Sequence, residues 1–464
     1  MNLPKTLIKI ANELVSQNAK AILVGGAVRD FLLHKELKDY DVEVYGLKSI
    51  EQLEQLLSKF GSVNLVGKSF GILKLRVGNI EYDFSFPRKE QKSGVGHRGF
   101  DVEIDGSLSF DEASKRRDFT INAMGYDIVE NKILDPFGGQ RCLDCKILKH
   151  IDDKTFIEDP LRVYRAIQFS ARFELELHES TFKLCEEMVE RGDLDDLSRE
   201  RVYEEFKKLL LKSKKPSIGF NLMRELGILK YFPELEGLIG IPQSPIWHPE
   251  GDVWIHTMLA VDKMALELTK DEYKELCERD RLKYMFAILC HDFGKPSCTK
   301  FKDDGKITSI GHEEAGVEPT KSFLNRLTND TKLINSILPL VEYHLRPSIY
   351  YQNNANASTI RRLATKVNIE DLVLVAKADK LGRTSESALS GEYPAGEWLL
   401  QRAKELSVDK KPAEPILLGR DLIALGFNPP PKFKDILENI YQEQIEGNVN
   451  TKNEAIELVK AHFL

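Results

Sequence analysis

Leu7, Ile8, Ile10 and Leu14 recur at the three- and four-residue spacing of a helix, so residues 1–20 are read as one. Ala21-Ile22-Leu23-Val24 follows as an unbroken apolar run, short enough for a buried strand. Strand-like stretches continue at 41–45, 71–76, 80–86 and 101–104, with Gly, Lys and Pro between them. From about residue 155 the strand signals stop. Helical patterns take over at 159–173, 180–191 and 198–212. Phe232-Pro233 and the stretch 237–249 form a proline-rich break, and a second helical block runs from 252 to about 382. Pro412, Pro415 and Pro429-Pro430-Pro431 punctuate a smaller C-terminal segment. The pattern predicts a multidomain chain, a mixed α/β head followed by an all-α body.

The chain has 464 residues, enough for about three domains. Its 66 Lys and Arg against 73 Asp and Glu leave a net charge of −7. That excludes an overall electrostatic clamp on nucleic acid, so any RNA contact must use a local basic patch. No apolar run reaches the roughly 18 residues of a spanning helix, and the N-terminus lacks a signal-peptide core. Six scattered cysteines, with Cys142-x-x-Cys145 lacking a second ligand pair, read as reduced thiols. A soluble cytoplasmic protein is expected, with no membrane partner.

Val24-Gly25-Gly26-Ala27-Val28-Arg29-Asp30 reads as a strand, a paired-glycine turn and a helix start, where backbone N–H groups can approach phosphate. Lys38-Asp39-Tyr40-Asp41 comes next. Alternate strand positions share a face, so Asp39 and Asp41 would project together, and two such carboxylates favour a hard divalent cation between them. Two ions there would activate a 3′-hydroxyl and steady a leaving pyrophosphate. Arg116-Arg117-Asp118, followed by Asn122, supplies guanidinium groups for a triphosphate and an acceptor for a ribose hydroxyl. In Glu158-Asp159-Pro160-Leu161-Arg162-Val163-Tyr164-Arg165, Asp159, Arg162 and Arg165 are read as one row on a helix that could face the edge of a base. Glu81 and Asp83 share a strand face and are read as solvated positions.

Taken in order, Gly25-Gly26-x-Val28-Arg29-Asp30, Asp39-x-Asp41, Arg116-Arg117-Asp118, Asp135-Pro136-Phe137-Gly138-Gly139 and Glu158-Asp159-x-x-Arg162 resemble the motifs of class II tRNA nucleotidyltransferases, the CCA-adding enzymes and their poly(A) polymerase relatives. The resemblance covers roughly residues 20–235 and implies a polymerase-β-like head with a mixed sheet, followed by helical neck, body and tail. It further implies that Asp39 and Asp41 bind catalytic Mg²⁺, that Arg116 to Asp118 hold triphosphate and ribose, and that Asp159 and Arg162 select the base. Asp135 to Gly139 would form a hinge, and Glu200-Arg201-Val202-Tyr203-Glu204-Glu205-Phe206 a neck brace. Val163-Tyr164 departs from the two leucines common in relatives.

The second block carries His256, His291-Asp292-Phe293-Gly294-Lys295-Pro296, His312, His344 and Asp379, a set that can converge on divalent ions from several helices. It resembles the HD phosphohydrolase superfamily, and Trp247-His248-Pro249-Glu250 before it resembles the HD domain of some bacterial CCA enzymes. By that resemblance His256, His291, Asp292 and Asp379 would hold an unidentified divalent metal, and the domain would act as a phosphatase and 2′,3′-cyclic phosphodiesterase. Lys295 is a candidate substrate contact, and His312 and His344 would serve either a second ion or phosphate.

The resulting division is a head at 1–150, a neck and RNA-binding region at 151–240, an HD domain at 241–385 and a tail at 386–464. Lys207, Lys208 and Lys212 lie in the densest basic stretch and are candidate tRNA contacts. The stretch 418–426 resembles the tail that approaches the tRNA elbow, although Pro429-Pro430-Pro431 stands where relatives carry Pro-Gly-Pro. The expected function is addition or repair of the tRNA 3′-terminal CCA from CTP and ATP. An A-adding-only enzyme, a poly(A) polymerase and a non-catalytic tRNA-binding protein are the alternatives; monomer and homodimer both fit. The HD block and the loop 67–71 look closer to the tRNA enzymes than to a poly(A) polymerase, and 96–100 resembles either.

Overall fold

The computed structural model describes residues 1, 3–37, 39–66, 71–92, 100–427 and 432–463. The stretches 67–70, 96–99 and 429–431 therefore lie outside the described residues. The chain forms two compact units, one of residues 1–205 with 225–227 and one of 206–224 with 228–464. Their boundary falls inside the helix Arg199–Lys212.

Among the described residues the head of the first unit is built on nine strands: β1 Lys20–Val24, β2 Tyr40–Tyr45, β3 Ser62–Val66, β4 Ile72–Val77, β5 Ile80–Ser85, β6 Arg88–Lys92, β7 Phe100–Ile104, β8 Gly125–Asp127 and β9 Lys132–Leu134, with two two-residue strands after them. Seven form one sheet in the order β3-β4-β5-β2-β1-β8-β9, while β6 and β7 pair separately. Only β2 and β5 run parallel; the other pairs in the large sheet are antiparallel, which makes it mixed. The apolar run of β1 is buried because it sits between β2 and β8. The opening helix, Lys5–Ser16, is shorter than the expected 1–20 and buries Leu7, Ile10, Ala11 and Leu14 while Ile8 faces outward. Asn18, in the left-handed conformation, turns the chain back toward β1.

β3 was not expected from the pattern. Its Leu65 and Val66 are exposed on an edge strand, so no inward alternation marks it. Beyond 155 the first unit is helical apart from a two-residue pairing of Ile147–Leu148 with Glu176–Leu177.

The second unit is a helical body. Helix Glu278–Cys290 buries nearly its whole second half and packs against Val253–Glu267, Thr331–Glu342 and Ile369–Gly382, the mark of a central helix. Val253–Glu267 and Ile369–Gly382 cross where Gly382 meets Ala260; a Cβ on Gly382 would stand 2.7 Å from the Ala260 Cα. A short hairpin, Lys300–Phe301 with Ile307–Thr308, interrupts the helices. The C-terminal segment has its own small core of Leu417, Leu422, Ile436, Ile440, Val449, Ala455 and Val459.

Candidate active sites in the two units

In the first unit β1 runs into Gly25, whose φ of +67° suits glycine, and then into the helix Gly26–Leu32. A Cβ at Gly25 would stand 3.1 Å from Arg117 Nη1, so the bare turn makes room for that guanidinium. Arg29 is buried over the ring of Phe173 and donates to Asn122 Oδ1 at 2.6 Å and to Asp30. Asn122 donates to Asp118 Oδ1 at 2.9 Å, and Arg165 donates to Asp118 Oδ2 at 2.7 Å. Arg117 donates to Glu43 Oε1 at 2.7 Å and to the Asn122 carbonyl. Four separated motifs thus meet in one network of charge-assisted hydrogen bonds.

The carboxylates stand beside it. Asp41 and Glu43 alternate with the buried Val42 and Val44, so they share the accessible face of β2. Asp39 lies one residue before the strand and is exposed. Asp83 of β5 is in register with Asp41, and Lys74 of β4, in register with Asp83, approaches it at 3.2 Å. Partial desolvation, then the charges of Asp83 and Asp39, raise the Asp41 carboxyl above its ordinary range. An all-oxygen set held against its own repulsion fits a hard divalent cation.

Three expectations need revision. Asp83 was read as merely solvated, yet strand pairing sets it next to Asp41; Glu43, two positions after Asp41, was overlooked although alternation alone would have put it on that face. Asp118 is buried, and both its oxygens already accept from the protein, so it is not an open acceptor for a ribose. Burial opposes its ionisation, but Arg165, Asn122 and the Phe119 N–H outweigh that and hold its carboxyl below the usual range. Asp159 does not share a helical face with Arg162: the helix Leu161–Phe173 starts after Pro160, and Asp159 precedes it. Arg201 donates to both Asp159 oxygens, at 3.0 and 2.9 Å, while Arg162 donates to the Thr155 and Arg116 carbonyls. Arg116 belongs to the network through that carbonyl. Asp135, the expected hinge residue, accepts from the Gly139 and Gln140 N–H groups, and a Cβ on Gly139 would come within 2.4 Å of the Thr120 carbonyl.

In the second unit the histidines converge. His256 comes from Val253–Glu267, His291 caps Glu278–Cys290, His312 opens a short helix, His344 follows Thr331–Glu342, and Asp379 lies in Ile369–Gly382. His256 Nε2 is 3.1 Å from Asp379 Oδ1 and 3.3 Å from His291 Nε2. Asp292 Oδ2 is 3.2 Å from His291 Nε2, and Asp292 Oδ1 is 3.2 Å from His312 Nε2. Two fully buried ligand triads result among the described residues, His256 with His291 and Asp379, and Asp292 with His312 and His344, while a third, less buried group joins His248 and Glu250 to His256. The expectation that His256, His291, Asp292 and Asp379 act as one set is thus refined, because Asp292 groups with the second triad while lying against the first.

The Nδ1 atoms explain the arrangement. Those of His291, His312 and His344 bond to the carbonyls of Ile288, Ser309 and Val341, each at 2.7 Å, and that of His256 to Glu250 at 2.9 Å. Each such bond directs the lone pair of Nε2 inward, the orientation a metal ligand needs. Asp292 Oδ1 and His312 Nε2 are buried without a hydrogen-bond partner, which suits an ion as third party. Burial, then the neighbouring His312 and His291, lowers His344 to about 3, so it is a neutral donor. Asp292 and Asp379 stay ionised: His291 and Lys295 for the one, Arg383 and His256 for the other, overcome the cost of burial. Gly294 is essential to the close approach, since a Cβ there would lie 2.0 Å from the His312 carbonyl. Lys295 donates to Asp292 and Gln243, both at 2.6 Å. Glu250 stands in the motif Trp247-His248-Pro249-Glu250 but carries no expected role, and nothing local marks Gln243 or Arg383; all three act through contacts across the body.

The lysines differ among themselves. Lys207 pairs with Glu278 at 2.8 Å, whereas Lys212 is exposed; Lys208 is half-buried on the same helix. All six cysteines are free thiols, and no helix among the described residues is long and apolar enough to cross a membrane.

Comparison with known proteins agrees with this layout. The poly A polymerase head domain family matches residues 21–149, the probable RNA- and SrmB-binding site of polymerase A matches 174–238, and the HD domain matches 253–384. A multifunctional CCA protein of Mannheimia succiniciproducens is 36% identical over 390 residues, covering 82% of this chain and 87% of that one. One from Neisseria meningitidis is 40% identical over 306 residues, or 66% of this chain and 67% of the other. The fold is shared with the Bacillus stearothermophilus CCA-adding enzyme in complex with CTP (TM-score 0.65, 22% identity, 99% of both chains). It is also shared with the Thermotoga maritima CCA-adding enzyme complexed with tRNA (TM-score 0.60, 21% identity, 100% of this chain and 97% of that one). With a matched nucleotidyltransferase head, a matched HD domain and that degree of identity over most of its length, the chain belongs to the multifunctional CCA protein family.

Proposed function

We propose that the protein adds or repairs the 3′-terminal CCA of tRNA from CTP and ATP without a nucleic-acid template, and that its HD domain hydrolyses phosphate esters at damaged RNA 3′ ends. The observation that carries the first part is the carboxylate group of Asp39, Asp41 and Asp83 beside the Arg29–Asn122–Asp118–Arg165 network. Asp39 and Asp41 would hold Mg²⁺, which when bound activates the 3′-hydroxyl and neutralises charge on the triphosphate. The 3′-oxygen, giving up its proton to solvent, bonds to the α-phosphorus as the bond from that phosphorus to the bridging oxygen of the β-phosphate breaks, and pyrophosphate leaves. Arg117, kept in place by Glu43, lies where an anionic oxygen can be met, whereas Arg29, buried and taken up by Asn122 and Asp30, positions the network rather than meeting the triphosphate expected of it. Asp159 and Arg162, held by Arg201 and by two carbonyls, form the rigid edge that we assign to base selection.

In the HD domain, the two triads would hold one or two divalent ions that polarise water. Water oxygen bonds to the phosphorus of a 2′,3′-cyclic phosphate, one ester P–O bond breaks, and the departing ribose oxygen takes a proton, leaving a monoester. We assign 1–150 to the head, 151–240 to the neck and RNA-binding region, 241–385 to the HD domain and 386–464 to a tRNA-contacting tail, with Lys208 and Lys212 as RNA contacts and the cytoplasm as location.

The test offers tRNA ending before CCA, tRNA ending in CC and an unrelated RNA, with CTP and ATP separately and together. Completion of both tRNAs supports the reading. Growth of only the CC-ended tRNA makes the protein an A-adding enzyme, and long A tails on any RNA make it a polymerase. Cyclic phosphodiesterase activity that persists in a His291→Ala, Asp292→Ala double variant overturns the HD assignment.

A further inference from the structure

The HD cavity, about 240 Å³, runs from a buried, charged floor to an exposed aromatic residue, Trp247. Its floor carries Asp292, His312, His344 and Asp379 together with two cations, Lys295 and Arg383. Lys295 is only 7% exposed, and its ammonium is already shared by Asp292 and Gln243. Arg383 uses Nη2 to hold both oxygens of Asp379, while its Nε is buried and unpartnered. A buried guanidinium N–H without an acceptor calls for an anionic oxygen from outside the chain.

The mouth is different in kind. Trp247 lines the cavity yet is 60% exposed. A large indole left open to water at the entrance of a charged site is costly unless something covers it in use. The segment that carries it is bonded through its backbone. The N–H groups of both Trp247 and His248 donate to the Ser244 carbonyl, and the His248 ring is fixed by Glu250. The backbone that carries the indole is therefore fixed before a ligand arrives.

From this we infer that Trp247 is a base platform, so that the HD site takes a nucleotide terminus whose phosphate meets Arg383 and whose base stacks on the indole. The size of the cavity fits this division. Pockets that enclose a whole ligand run from about 300 Å³ upward, so this one holds phosphate and sugar and leaves the base at the rim. Stacking tolerates any base and grows with ring area, so purine termini should bind better than pyrimidine ones. The inference rests on the phosphohydrolase reading for its substrate, but the platform can be tested apart from it.

The full-length protein is assayed with adenosine 2′,3′-cyclic phosphate and with ribose 2,3-cyclic phosphate, which lacks the base. In Trp247→Ala the ratio of kcat/KM for the first over the second should fall about tenfold, through KM rather than kcat, and Trp247→Phe should recover most of it. An unchanged ratio overturns the inference. If the wild type hydrolyses neither compound, the phosphohydrolase reading has failed, and the platform is then judged by calorimetric binding of adenosine 2′-phosphate and of inorganic phosphate. Tighter binding of the nucleotide, lost in Trp247→Ala, supports it; equal affinity for the two, or no effect of the substitution, overturns it.

Discussion

Asp41 and Asp83 stand side by side in register on two parallel strands, with Asp39 one residue before the strand that carries Asp41. Neither desolvation nor repulsion favours that cluster of charge, and the raised pKa of Asp41 records both.

Asp41→Asn should reduce terminal addition of C and of A at least about a hundredfold, because a group that stabilises developing charge is removed. Asp83→Asn should cost less, about tenfold, and should move the acid limb of the pH–rate profile to lower pH. The sign follows from the charge: without Asp83, Asp41 loses a neighbour that raises its pKa and ionises more readily. Single-nucleotide incorporation between pH 5 and 8 checks both expectations.

Arg165 neutralises a buried carboxylate, Asp118. Arg165→Met should destabilise the head by about 3 kcal/mol at pH 7, since an uncompensated charge is left behind. Because the folded pKa of Asp118 is depressed, its contribution is fully present above the ordinary carboxylate value and disappears as the pH falls below about 4. The stability difference between variant and wild type should shrink in that window. Urea unfolding monitored at pH 7 and below pH 4 measures it.

Gly294→Ala would push a methyl group into the His312 carbonyl and separate the two triads. Metal content and HD hydrolysis should both fall at least about tenfold, with CCA addition retained by the head. Elemental analysis of the purified protein, alongside the two activity assays, reads the outcome.

Metal removal should lower the melting temperature through the HD domain. An ion present at a hundred times its Kd stabilises by about 2.7 kcal/mol, and chelation removes that. The Asp39→Asn, Asp41→Asn protein should keep this response, and the His291→Ala, Asp292→Ala protein should lose it. Differential scanning fluorimetry with and without chelator distinguishes them.

Burial pushes the Cys185 thiol up to about 12 and raises Cys290 well above its ordinary value, whereas Cys145 and Cys277 are exposed. Iodoacetamide at pH 8 should modify Cys145 and Cys277 and spare Cys185 and Cys290 until the protein is unfolded. Peptide mass spectrometry assigns the sites.

What the sequence determined by itself is whatever depends on neighbours along the chain. The buried β1, the glycine turn before Arg29, the pairing of Asp39 with Asp41 and the helices of the body all follow from periodicity and local turn chemistry. Helix capping is as local: Asp252 and Asn368 start the helices that carry His256 and Asp379. Tertiary structure decided the rest. Asp83 joins Asp41 only because β5 chose β2 as its parallel partner, and no alternation within β5 reveals that choice. Asp118 turned inward because Arg165, 47 residues away, offered it a buried partner. The histidines were visible one by one, but their division into two triads depends on helix crossings set by Gly382 and Gly294, where only a missing Cβ permits contact. Local propensity acts over a turn or a strand; which side chains share a site is set by packing between segments distant in sequence, where steric fit and desolvation decide.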